Sequence, residues 1–173
     1  MKVMHVLLNR PTIQLILLWC LVIAAKLWYR QAEVTELAFL LTPTAKISGL
    51  LMNLSFEWQP LGYHCLKAGI LISQDCSGFN FLLVATLAAF FALSPRWSQR
   101  LWLMPLSVLL AFGLTILANV ARICCLVVAG TLTPVPGWLH LSIGIIVYLC
   151  LLIPYSLLLS KNPILLPYAN QNN

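Results

Sequence analysis

The stretch from Asp75 to Leu93, DCSGFNFLLVATLAAFFAL, passes from a short polar head into a run that carries no charge. As a helix rising about 1.5 Å per residue, Ser77–Leu93 comes close to crossing a hydrocarbon core about 30 Å thick. Runs of the same character lie near Thr12–Tyr29, near Leu101–Ala118 with an apolar continuation to about Ala129, and near Leu139–Ser160. Over 173 residues the chain is 61% hydrophobic and 8% charged, with a mean hydropathy of +0.94. That balance excludes an ordinary soluble domain. It predicts an all-α, polytopic integral membrane helix bundle, with residues 1–173 as one transmembrane domain.

Charge sets the expected orientation. Lys2, Arg10, Arg96, Arg100 and Lys161 occupy the N-terminal tail, the connection after Leu93 and the C-terminal tail, with no acidic residue among them. All four acids, Glu33, Glu36, Glu57 and Asp75, fall in the first long loop. The positive-inside bias then places both termini and Ser94–Arg100 in the cytoplasm and Cys76 on the outer face. The net charge of +6 thus reports topology, and no nucleic-acid partner is expected. Lys2 and Arg10 before an apolar run could also mark a signal peptide cleaved after Ala24-Ala25. Lys26, Trp28, Tyr29 and Arg30 instead suit the interfacial end of a retained helix.

Residues 31–75 are less regular. The segment 34–54 is apolar but interrupted by Pro43, Lys46 and Gly49, which suits an interfacial or re-entrant helical segment better than a full crossing. Leu61–Gln74 reads as a short hairpin or irregular cover outside the membrane. Gly130–His140, with Thr133, Pro134, Pro136 and Gly137, reads as a tight non-helical connection.

On this topology, Cys76 precedes the second span, while Asn119 and Arg122 emerge about 30 Å along the third span from Arg100. His140 opens the fourth span on the same side. Each residue has an unremarkable alternative: a packed thiol, a snorkelling arginine, an interfacial histidine, an asparagine bridging helices. Their common depth is what points to chemistry. A thiol attacks as thiolate, which a helix N-terminus beginning at Ser77-Gly78 and a nearby guanidinium favour. His140 can take and return the proton, Arg122 can face the oxygen that becomes negative in acyl transfer, and Asn119 can orient Arg122 one helical turn away. Asp75 opposes the thiolate unless it pairs with a cation or orients His140.

The segment Gly69–Phe81 with its Asp75-Cys76-Ser77-Gly78 core, the Asn119-Val120-Ala121-Arg122 motif and the His140 that opens the last span resemble the exosortase/archaeosortase family. The short chain and the Cys-Ser-Gly-x-Asn-Phe form look most like the exosortase K branch. The resemblance covers roughly Lys46 to the last span. It implies a membrane-embedded cysteine protease or transpeptidase at the outer face of the cytoplasmic membrane, with Cys76 as nucleophile, Arg122 positioning substrate or stabilising the oxyanion, and His140 as general acid/base. Asn119, Asp75, Ser77 and Gly78 would support them. The implied partner is a membrane-anchored protein with a C-terminal transmembrane sorting signal, and no cofactor or metal is implied. The chain departs from the family pattern at Asp75, where a small or neutral residue is more usual, and in its fewer spans.

Two other readings stand beside this one. The chain could be a non-catalytic scaffold or transporter subunit in which Arg122 and Asn119 are interhelical contacts. It could be a thiol-redox protein using Cys124-Cys125, although adjacent cysteines make a strained disulfide. The remaining cysteines show no disulfide or zinc spacing.

Overall fold

The computed structural model of the chain describes residues 10–93, 103–132 and 137–161. In chain order the elements are α1 (Arg10–Gln31), α2 (Ala38–Met52), β1 (Glu57–Gln59), β2 (Gly62–Cys65), β3 (Ile70–Ile72), a single 3₁₀ turn (Gln74–Cys76), α3 (Phe79–Leu93), α4 (Leu103–Leu132) and α5 (Gly137–Lys161). Three segments, Gln74–Ala92, Pro105–Gly130 and Gly137–Ser160, are long and apolar enough to cross a membrane. The chain is therefore a polytopic membrane helix bundle, as its composition predicts. Of the basic residues that set the expected orientation, Lys2, Arg96 and Arg100 lie outside the described residues, while Arg10 begins α1 and Lys161 ends α5.

The long α4 organises the bundle, packing against α2, α3 and α5. Its apolar stretch runs without a break past Arg122, so the helix continues to Leu132. With α5 starting at Gly137, the non-helical connection expected over Gly130–His140 is helical at both of its ends, and residues 133–136 lie outside the described residues.

The helical segment expected over 34–54 is one helix, Ala38–Met52. Along α2, Leu40, Leu41, Thr44, Ala45, Ser48 and Gly49 are buried, a stripe at helical spacing, while Phe39, Lys46, Ile47, Leu50 and Leu51 stay exposed. The buried stripe serves the contact with α4, and Lys46 falls on the opposite face. Pro43 lacks one backbone donor yet sits inside the helix. Asn53, in the left-handed conformation, ends it, and the Leu54 amide donates to the Gly49 carbonyl at 2.9 Å.

The hairpin expected over Leu61–Gln74 is part of a larger unit, a three-stranded antiparallel sheet in the order β1-β2-β3 that begins at Glu57. The register pairs Trp58 with Tyr63 and Tyr63 with Ile72. One face of the sheet docks on α2: the Tyr63 hydroxyl lies 3.0 Å from Thr42 Oγ1, and Cys65 and Ile72 are fully buried. Trp58, the cross-strand partner of Tyr63, packs edge-on against it at 4.9 Å. The sheet thereby caps the end of the bundle at which α3 begins.

Leu41 is fully buried in the cluster that joins α2, the sheet and α4, whereas Leu50 is 83% exposed. Leu41→Ala should cost about 2–5 kcal/mol through the cavity it leaves, and Leu50→Ala well under about 1 kcal/mol. Thermal midpoints of the two detergent-solubilised variants, measured side by side, check this ranking.

Candidate active site

The polar head of α3 is built by two clamps. From one side Tyr29 of α1 stacks on Phe79 at 4.8 Å and donates its hydroxyl to the Gln74 carbonyl at 3.1 Å. Gln74 returns a bond from Nε2 to the Tyr29 carbonyl at 3.0 Å, and Ser77 Oγ lies 3.4 Å from the Tyr29 hydroxyl. Ser77 Oγ also accepts from the Phe79 amide at 3.3 Å, helping to satisfy the first turn of α3.

From the other side Asn119 of α4 donates Nδ2 to the Ser77 carbonyl at 2.7 Å. Gly78 follows with φ +71°, and a Cβ there would lie 2.5–2.8 Å from the Asn119 amide group. Glycine is required on both counts, for the left-handed backbone and for the close approach. The turn Gln74–Cys76 therefore presents the thiol between α1 and α4, with Cys76 only 6% exposed.

Cys76, Arg122 and His140 meet as their common depth predicts. Cys76 Sγ lies 3.9 Å from His140 Nε2, and Arg122 Nη2 lies 3.2 Å from His140 Nε2 and 3.3 Å from Nδ1. A guanidinium only donates, so this contact requires a lone pair on the ring and holds the imidazole neutral. Arg122 Nη1 donates to the Tyr148 hydroxyl at 3.3 Å, and Tyr148 donates to Asn119 Oδ1 at 2.8 Å.

The Asn119 amide and the guanidinium are thus linked through Tyr148. The direct contact expected between Asn119 and Arg122 one turn apart is replaced by this link, with the α5 tyrosine as the bridge. Arg122 is 7% exposed and Nε is buried without a partner. A Cβ on Gly144 would lie 3.1 Å from that nitrogen, so the small residue lets the guanidinium lie against α5.

Asp75 is exposed and, among the described residues, makes no hydrogen bond or ion pair. It neither pairs with Arg122 nor holds His140 directly. Cys124 and Cys125 are both free, as are the other cysteines. Among the described residues no group of three or more His, Cys, Asp or Glu side chains could hold a metal ion.

Sequence reasoning missed Tyr148, Tyr29 and Gln74. Tyr148 sits in a run of aliphatic residues where a lone hydroxyl in lipid needs an internal partner, a signal that could have singled it out. Tyr29 was legible only as an interfacial aromatic, because its partners lie more than forty positions away.

The sequence profile of the transmembrane exosortase family (Exosortase_EpsH) matches residues 8–156. This chain belongs to that family. No curated protein and no solved structure matches it. The matched region includes all of the clustered side chains, from Tyr29 to Tyr148.

Asn119→Ala would leave the Ser77 carbonyl without this donor and the Tyr148 hydroxyl without its acceptor. It should destabilise the protein by about 1–3 kcal/mol. Tyr148→Phe keeps the stacking on Phe81, at 4.5 Å between ring centres, and should cost less. Gly78→Ala should exceed both. Thermal unfolding of the three variants in one detergent checks the order.

Proposed function

We propose that the chain is a cysteine peptidase or transpeptidase of the exosortase K type. It processes the C-terminal sorting signal of exported, membrane-anchored proteins at the outer face of the cytoplasmic membrane, with both termini inside. The observation that carries this reading is the contact of Cys76 Sγ with His140 Nε2 at 3.9 Å, beside a buried guanidinium at 3.2 Å from the same ring.

In this reading His140 Nε2 accepts the proton of the Cys76 thiol, and the sulfur attacks the scissile carbonyl carbon. The electron pair of the C=O bond moves to oxygen, and Arg122 Nη2 turns from the ring to that oxyanion. Arg122 thus has two roles in sequence: it keeps the resting imidazole neutral and able to accept, then stabilises the intermediate. Collapse breaks the C–N bond, and the imidazolium returns its proton to the leaving amine. The thioacyl-enzyme is then resolved by an incoming amine or by water, whose proton passes through His140 to restore the thiol. Ser77 and Gly78 hold the sulfur through the two clamps, and Tyr148 and Asn119 hold the guanidinium.

Co-expression of each variant with a protein ending in a transmembrane sorting signal tests the reading. Cys76→Ala and His140→Ala should abolish processing. Arg122→Lys should lose roughly 10²–10³ in rate, since the lysine cannot keep both the tyrosine and the oxyanion in reach. Tyr148→Phe should lose roughly tenfold at unchanged protein abundance. Full processing by Cys76→Ala would overturn the reading and leave Arg122 and Asn119 as interhelical contacts of a non-catalytic subunit.

Orientation is tested separately. A variant retaining Cys76 as its sole cysteine should react with a membrane-impermeant maleimide added outside intact cells. Labelling only after lysis would reverse the orientation.

A further inference from the structure

A cavity of about 410 Å³ opens on the seam between α2 and the sheet, and it shares no residue with the candidate active site. Leu50 of α2 and Leu54 and Phe56 of the connection to β1 give it apolar walls, and Tyr63 of β2 lines it from the sheet. Among the described residues Lys46 is the one charged side chain in its lining.

The position of that charge is unusual. The helix α2 is apolar over its 15 residues and too short to span a membrane. Its face away from α4 exposes Phe39, Ile47, Leu50 and Leu51, the composition of a surface turned to lipid. Lys46 stands in the middle of that face and, among the described residues, makes no hydrogen bond or ion pair. An ammonium on a lipid-facing helix is costly until it finds an anion or reaches the polar interface.

Two hydroxyl groups lie one helical turn from it. Thr42 precedes Lys46 by four residues, so the two share a face of α2. Thr42 Oγ1 lies 3.0 Å from the Tyr63 hydroxyl. That contact uses one of the two hydroxyl hydrogens, and the other is left to donate to a guest. Trp58, edge-on to Tyr63 and 43% exposed, marks this end of the seam as headgroup depth, where amphipathic rings settle.

The anion that a lipid-facing ammonium meets in a membrane is a phospholipid phosphate. Lys46 carries a full charge that no acid of the chain offsets by pairing, so the complementary guest is a lipid with net negative charge; in a zwitterionic headgroup a second cation competes for the same phosphate. We propose that the seam between α2 and the sheet binds one anionic diacyl phospholipid from the leaflet on the Cys76 side. Lys46 holds its phosphate together with the free hydrogen of the Thr42–Tyr63 pair, and one acyl chain lies against Leu50, Leu54 and Phe56. The lipid covers the seam through which the sheet docks on α2. Since β3 leads directly into the turn Gln74–Cys76, it also steadies the strand that carries the thiol, whatever reaction the thiol performs.

The test uses the full chain in detergent micelles and the binding of tritiated dioleoylphosphatidylglycerol, read by scintillation proximity. Saturation should occur at one lipid per chain. Unlabelled phosphatidylglycerol should displace the probe at least about fivefold better than dioleoylphosphatidylcholine or dioleoylglycerol, the margin expected for one charge-assisted hydrogen bond. Excess inorganic phosphate, which has no chain to fill the apolar walls, should leave it bound. Lys46→Gln should weaken binding by at least about fivefold, and Lys46→Arg should retain it. Leu50→Glu, at an exposed position, sets a carboxylate one turn from Lys46 and should displace the lipid by supplying the missing anion. Lys67→Gln, on the exposed turn between β2 and β3 and outside the cavity, should bind as the parent chain does.

Full binding by Lys46→Gln or Leu50→Glu overturns the proposal. So does equal competition by phosphatidylcholine or dioleoylglycerol, which would make the seam an ordinary lipid contact. Displacement by inorganic phosphate would make it an anion site without a lipid, and an equal loss in Lys67→Gln would reduce the effect to surface charge; either result also overturns it.

Discussion

A single buried side-chain amide, that of Asn119, is the constraint on which the rest of the site depends. It donates to the Ser77 carbonyl at 2.7 Å and accepts from Tyr148 at 2.8 Å. In a bundle surrounded by hydrocarbon, neither group could turn to water instead. Asn119 therefore ties three spanning helices together by bonds that have no cheap alternative. The left-handed Gly78 follows from it, since any side chain there would occupy the space of the amide.

The thiol is held from the opposite side by Tyr29 and Gln74, whose reciprocal main-chain bonds fasten the polar turn to α1. Two clamps of different chemistry, one an amide and one an aromatic stack with a hydroxyl, leave Cys76 little freedom relative to α4 and α5. The alignment of sulfur and imidazole is accordingly set by the fold before any partner arrives, an arrangement that favours reactions limited by positioning.

Arg122 shows the energetic side of the same design. A guanidinium in this setting is costly, and among the described residues no carboxylate forms an ion pair with it. Its partners are a neutral ring and a phenol, and Nε has none. An arginine serving stability alone would do better with an acid or at the interface. Its burial beside Cys76 and His140 is the arrangement the proposed chemistry needs, a fixed positive charge with one edge free to change partner.

The sequence by itself determined the solvent and the solution to it. A chain this apolar, with charges confined to loops and ends, has to satisfy its backbone internally, and helices do so locally, so the spans at Ser77–Leu93 and Leu139–Ser160 were legible from runs of residues. The common depth of Cys76, Arg122 and His140 was legible too, because depth follows from helical rise. Tertiary structure decided what depth cannot: which faces of the helices meet. That is why Tyr148 rather than direct contact joins Asn119 to Arg122, why Tyr29 leaves the interface for the core, and why Asp75 stays exposed. The sheet belongs to the same category. Strands of three or four residues carry too little periodicity to be read alone, and they exist here because α2 offers them a surface on which to bury Cys65 and Ile72.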